Sequence, residues 1–266
     1  MPYDHIDDIR ELRGDWSGPL VTTAIHQGHE LRPDVRRAMT LDERSRRREE
    51  DPYTDVIGAH TSAQVIARRS RFEVDLNRPR QEAVYQVPED CWGLDVWRDG
   101  RLPDEMVEAS LEVYDVFYAD LARRLDELAE RGPFVVYDVH SYNHRRQGDS
   151  TDVAPPEDNP EVNLGTGSLE DRFRPVAETF TRELEAQEVA GHRLDVRENV
   201  KFEGRALAWF VHERYPGRGA CLALEFKKTF MDEWTDEVDE QHLLALQEAL
   251  AATHGPVVEE LQRHAR

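Results

Sequence analysis

The sequence predicts an α/β fold, a sheet buried between helices. Three observations carry this. A long amphipathic segment, Pro103–Arg131, runs through a short Gly132-Pro133 stop into FVVYDVHS, Phe134–Ser141. That run opens with unbroken apolar residues, as in a strand covered on both faces, and helix, turn and buried strand in succession is the α/β signature. A second buried run, CLALEF (Cys221–Phe226), and a third, LVTTAIH (Leu20–His26), repeat the pattern.

In chain order, LVTTAIH is β-branched and stops at polar residues, which reads as a strand ending in a loop. Arg32 to Asp51 is dense in charge and reads as a solvated helix and loop. Between Ala63 and Asn77 two strand-like pieces follow, AQVIA and FEVDLN, and Pro79 closes the second. Pro103 suits a first helical position, and Asp104 and Glu105 complement the positive end of the helix dipole. Val107, Leu111, Tyr114, Tyr118, Leu121, Leu125 and Leu128 then form one apolar stripe. Arg146–Gly167, rich in Asp, Pro, Gly and Asn, reads as a long loop, and such loops in compact domains are often functional. Arg174–Gln187 is a further helix with Phe173, Val176, Phe180 and Leu184 on one face. Asp239–His264 is a terminal helix broken near Gly255-Pro256. Neither a repeat nor a linker divides the chain, so 266 residues read as one domain, 1–266.

Composition narrows the function. With 55 acidic residues against 34 Lys and Arg, the formal charge is −21. Phosphate backbones and anionic membranes need clustered cations, so nucleic acid and membrane are not expected partners. The stretch of apolar residues that a membrane-spanning helix needs is missing, and MPYDHIDDIRELRGDW, polar and acidic, is not expected to be a signal or transit peptide. Cys91 and Cys221 make no disulfide framework and no Cys-based zinc site, and a reducing, cytoplasmic setting is expected. Only Lys201, Lys227 and Lys228 are lysines, the remaining cations being arginine. Two readings of this bias stand side by side: adaptation to strong salt, where screening removes self-repulsion, or an Arg-, Ala- and Glu-rich codon usage.

In open α/β sheets ligands bind beyond the carboxyl ends of the strands. His26 stands there after LVTTAI, with His29 and Glu30 close behind. Asn77 and Arg78 follow FEVDL, His140 follows FVVYDV, and Glu225 ends CLAL. Neutral imidazole suits zinc, and a catalytic zinc site uses three protein ligands plus an open position. Two ligands close in sequence and one distant, His26 with His29 or Glu30 and then His140, is a common arrangement. A carboxylate outside the ligand set, Glu225, can serve as general base; its alternative is a salt bridge to an arginine. Arg78 can hold a substrate carboxylate by a two-point fork, with Asn77 adding a donor. His60, His192, His212, His242, His254 and His264 read as surface residues.

Four segments then resemble one family. SRFEVDLNRPR (Ser70–Arg80), YDVHSYNHR (Tyr137–Arg145), LALEFKKTFMDE (Leu222–Glu233) and AIHQGH (Ala24–His29) are similar, in order, to motifs of the N-formylglutamate amidohydrolases. That family is remotely similar to the zinc carboxypeptidases and aspartoacylase-like deacylases. The resemblance implies a three-layer α/β fold, zinc-carboxypeptidase-like, with a mixed central sheet flanked by helices. It implies one zinc per chain, His26 and His140 as ligands, Asn77 and Arg78 on the substrate carboxylate, and Glu225 as general base. One position departs: the family's remote "HxxE" spacing from His26 lands on His29, not on an acid. His29 is therefore expected as the third ligand, with Glu30, Asp51 or Asp55 as alternatives. Arg71 and Arg145 are candidates for a second carboxylate.

The expected activity is hydrolysis of the amide bond of an N-acyl amino acid, N-formyl-L-glutamate foremost. A carboxypeptidase-like peptidase or another acyl amino acid deacylase is the rival enzyme. A binding protein that keeps the fold without the chemistry is the rival of another class. The charge gives a first test. If −21 reflects adaptation to salt, the melting temperature rises from low to molar KCl, whereas a flat or falling trend assigns the acidity to codon usage.

Overall fold

The computed structural model describes residues 6–146 and 154–263. Its nine described strands are β1 (Arg10–Gly14), β2 (Leu20–Ala24), β3 (Ala63–Ala67), β4 (Phe134–Tyr142), β5 (Val162–Gly165), β6 (Glu188–Val189), β7 (His192–Arg193), β8 (Val196–Glu198) and β9 (Gly219–Lys227). Helices α1 (Pro33–Ala38), α2 (Glu43–Glu49) and α3 (Thr54–Ile57) lie between β2 and β3, and α4 (Asp104–Arg131) leads into β4. After β4 come α5 (Arg174–Glu185), α6 (Ala206–Arg214), α7 (Glu240–Ala252) and α8 (His254–Arg263).

Seven strands form one mixed sheet in the order β1-β3-β2-β4-β9-β5-β8. The inner four, β3, β2, β4 and β9, run parallel, while β1 and β5 lie antiparallel to their inner neighbours. Alternation along β4 sorts the core into two layers. Phe134 and Val136 face the cluster that holds Phe117, Leu121 and Leu125 of α4 and Val211 of α6. Val135, Tyr137 and Val139 face Phe180 of α5, Leu246 of α7 and Leu261 of α8. Helices thus cover both faces of a mixed sheet, the three-layer α/β architecture expected.

Several local readings change. FEVDLN is not a strand. Its alternation is real, since Phe72, Val74 and Leu76 enter the core, but its amides bond into turns: Glu73 N–H to Ser70 O, Asp75 N–H to Ala83 O and Arg78 N–H to Asp75 O. Glu73 and Asp75, both fully buried, find partners there that a flat ladder could not offer. Tyr118 and Tyr114, one turn apart on α4, donate to Leu76 O and Arg78 O and fix this segment. The stretch Arg32–Asp51 is less solvated than its charge suggests, because Arg46, Glu49 and Asp51 are buried. The loop Arg146–Gly167 contains β5, and part of it lies outside the described residues, as does His264. The terminal helix breaks at Thr253. His212 is buried rather than on the surface, accepting from Cys221 N–H and meeting Ser168 Oγ. Cys91 and Cys221 are free and buried, and no described helix is long and apolar enough to cross a membrane.

Beyond β2 the chain passes tightly against the end of β3. Glu30 N–H bonds to Arg68 O, and a Cβ on Gly28 would sit 2.4–2.6 Å from backbone atoms of Arg68 and Arg69. Only glycine fits without a backbone shift. Gly28→Ala should therefore cost ~1–3 kcal/mol in urea unfolding; unchanged stability would mean that the two segments can part freely.

Candidate active site

The centre forms where β2, β4 and β9 end. His26 lies two residues past β2, and His140 is near the end of β4. Asp51 follows α2, its N–H bonded to His26 O and its C=O accepting from Thr54 Oγ1. The three side chains converge. His26 Nδ1 and His140 Nδ1 are 3.1 Å apart, and Asp51 Oδ2 is 3.1 Å from His140 Nδ1 and 3.3 Å from His26 Nδ1. All three residues are 2–3% exposed.

An outer carboxylate stands beside each ring. His26 Nε2–H donates to Asp75 Oδ1 at 2.7 Å, since a carboxylate can only accept. His140 Nε2 lies 2.9 Å from Asp138 Oδ2, two residues earlier on the same strand and the same face. Asp138 is itself held by Thr23 Oγ1–H of β2. With the protons on Nε2, both Nδ1 atoms present lone pairs to each other and to a carboxylate. Three buried acceptors at such distances repel unless a cation or proton lies among them. A tetrahedral ion with ligand bonds of ~2.0–2.1 Å sets ligand–ligand edges of ~3.3 Å. The donor set and its spacing fit a divalent ion of the zinc type with an open position, and among the described residues no other cluster of this kind occurs.

Protein groups alone already strain the titration of the centre. Burial opposes charge on His140, but Asp138 and Asp51 outweigh it and hold the imidazole well above its usual range. Burial would raise Asp51, yet His140 and His26 hold it well below. Asp75 is likewise held far down, against burial, by Arg71 and His26. Arg71 Nη2–H and Tyr85 Oη–H both donate to Asp75 Oδ2. On the other side Lys228, 1% exposed, donates from Nζ to Arg48 O at 2.6 Å and Glu50 O at 2.7 Å. It thereby fixes the turn that delivers Asp51, as a cation at the carbonyl end of α2.

A cleft of about 220 Å³ opens over the centre, with Glu225, Asn77, Arg78, Trp92 and Arg205 in its wall. Glu225 on β9 is the register partner of His140 on β4 and so shares its face. Its carboxyl is pushed up to about 8, first by burial and then by Asp51 and Asp138, with His140 acting in the opposite direction. Asn77 Oδ1 accepts from Leu207 N–H at 3.3 Å. Arg78 gives one Nη to Asp90 O, and its guanidinium lies over the Tyr85 ring.

The structure thus brings His26, His140, Glu225, Asn77, Arg78 and Arg71 to one cleft, but not His29 or Arg145. His29 bonds to Glu50 through Nδ1 and faces Glu43 and Arg46 through Nε2. Its place in the triangle is taken by Asp51, because the chain beyond His26 turns away along β3. Glu30 is exposed and near Arg68, and Asp55 faces Arg13. Arg145 pairs with Asp232 at 2.6 Å, outside the cleft lining. Sequence reasoning passed over Asp138, Asp75 and Lys228. Only Asp138 carried a signal, since strand alternation puts it on the face of His140.

Known proteins supply the comparison. The N-formylglutamate amidohydrolase family profile matches residues 18–231. The structure of an N-formylglutamate amidohydrolase from Ralstonia eutropha JMP134 is similar over 96% of this chain and 99% of its own, with a TM-score of 0.75 and 18% identity. A gene product of Agrobacterium tumefaciens aligns over 96% of this chain and 95% of its own, with a TM-score of 0.58 and 15% identity. A metallo-carboxypeptidase from Burkholderia cenocepacia aligns over 94% of this chain and 60% of its own, with a TM-score of 0.43 and 12% identity. No curated protein gives a significant match. At these identities the first two structures speak for the fold alone, whereas the profile spans most of the sequence: the chain belongs to the N-formylglutamate amidohydrolase family, hydrolases of amide bonds.

Proposed function

We propose that the protein hydrolyses N-acyl amino acids, N-formyl-L-glutamate foremost, at a divalent metal, zinc, held by His26, Asp51 and His140. The observation that carries this reading is the buried triangle of three acceptor atoms facing Glu225 across a cleft lined with guanidinium groups. When bound, the ion supplies Lewis acidity toward the acyl oxygen and the attacking water.

The chain's own groups do the rest. Arg78 and Asn77 bind the substrate's α-carboxylate and orient the scissile amide. A Glu225 carboxylate oxygen takes one proton from water as the water oxygen bonds to the acyl carbon. The same oxygen returns that proton to the amide nitrogen as the C–N bond breaks, giving a carboxylic acid and a free amine. A carboxyl that holds its proton near neutrality suits a group that must both take and give it. Positive charge in the triangle acts on Glu225 in the same direction as His140, toward the ionised base. Asp75 and Asp138 keep the Nε2 protons in place, so both Nδ1 lone pairs stay turned to the ion.

Four outcomes test this. Glu225→Gln should keep its metal and lose ~10²–10⁴-fold in kcat on N-formyl-L-glutamate; near-normal turnover would give Glu225 a structural task. Stripping with a chelator should abolish hydrolysis and zinc should restore it. Zinc affinity should fall as pH falls, because protons compete for the His140 imidazole, which Asp138 and Asp51 hold above its usual range. Asp51→Asn should weaken binding at every pH, and a protein with wild-type zinc affinity after that change would remove Asp51 from the ligand set.

A further inference from the structure

The cleft wall holds more positive charge than one carboxylate requires. Arg71, Arg78, Arg146, Arg205 and Lys228 all line it. Four of them are committed to protein groups. Arg71 is bound to Asp75, Tyr85 and Glu49 O. Arg78 is tied to Asp90 O, Arg146 pairs with Glu49 Oε2 at 3.3 Å, and Lys228 spends two protons on backbone carbonyls. Arg205 differs. It is exposed, and its guanidinium makes no hydrogen bond or ion pair among the described residues. The cleft's acids are Glu49, Asp51, Asp75 and Glu225, and among the described residues none of them pairs with Arg205.

Its backbone, by contrast, is well placed. Arg205 directly precedes α6, and two residues on, Leu207 N–H bonds to Asn77 Oδ1. The same short segment therefore touches the residue assigned to the α-carboxylate. Gly204, in the left-handed region at φ 90°, turns the chain immediately before it. A side chain five bonds long from this point reaches over the cleft beside the first carboxylate subsite.

We propose that Arg205 binds a second carboxylate, carried on the side chain of the substrate amino acid, and so sets a preference for acidic over neutral acyl amino acids. This rests on the amide-hydrolysis reading above, and the test separates the two. The zinc-loaded enzyme, Arg205→Gln and Arg78→Lys are assayed on N-formyl-L-glutamate and on its neutral counterpart N-formyl-L-glutamine. Binding of L-glutamate and L-glutamine is measured alongside by calorimetry. Arg205→Gln should lower kcat/KM on the acidic substrate roughly 10- to 30-fold through KM, and leave the neutral one within about 2-fold. Arg78→Lys should impair both. Equal losses on the two substrates, or no loss on either, overturn the assignment. If the wild type hydrolyses neither substrate, the amide-hydrolysis reading fails, and calorimetry then decides the fate of Arg205. Wild-type binding selective for L-glutamate and abolished in Arg205→Gln keeps the assignment; any other pattern ends it.

Discussion

Three electron-pair donors held within 3.3 Å of one another in a dry interior are the constraint on which this structure turns. Neutral imidazoles and a carboxylate at such spacing have no reason to approach unless positive charge lies between them. The outer carboxylates make the arrangement obligatory. Asp75 draws the His26 proton to the far nitrogen and leaves the near one bare, and Asp138 lies 2.9 Å from the far nitrogen of His140. Those acids need support in turn, which Arg71, Tyr85 and Thr23 give through direct hydrogen bonds.

The sheet explains why such a cluster can be held at all. Parallel β2, β4 and β9 are neighbours, so their last residues meet at one edge without any long loop having to be ordered. Register does the fine placement: pairing of His140 with Glu225 puts carboxyl and imidazole on one face, and pairing of Thr23 with Asp138 seats the supporting acid. The 72–78 segment, anchored by two tyrosines of α4, closes the same edge and brings Asn77 and Arg78 to the cleft. Strand register thus places His140 and Glu225, while turns anchored on the helices bring in Asp51, Asn77 and Arg78.

Much of this is readable in the residues. Apolar runs that end in a polar side chain mark β2, β4 and β9, and the residues there are His26, His140 and Glu225. What escapes is whatever depends on where the chain goes next. His29 has the better spacing from His26, yet the tight passage at Gly28 carries it to Glu50, while the turn after α2 brings in Asp51. FEVDLN alternates like a strand, but buried carboxylates and turn hydrogen bonds decide its path. β1 and β8 are short strands at the edges of the sheet, with charged residues that give no buried run to detect.

The spread of these groups along the chain has a consequence for folding. His26 and His140 are 114 residues apart, and the Lys228 contact to Glu50 spans 178. Contacts this distant carry a large loop-closure cost and form late, after the local helices. The triangle's three donors lie within residues 26–140, whereas Glu225 and the lysine that pins the Asp51 turn, Lys228, lie more than 80 residues further on. Because β9 lies between β4 and β5, the sheet is continuous and the cleft wall complete only when this late segment is in place.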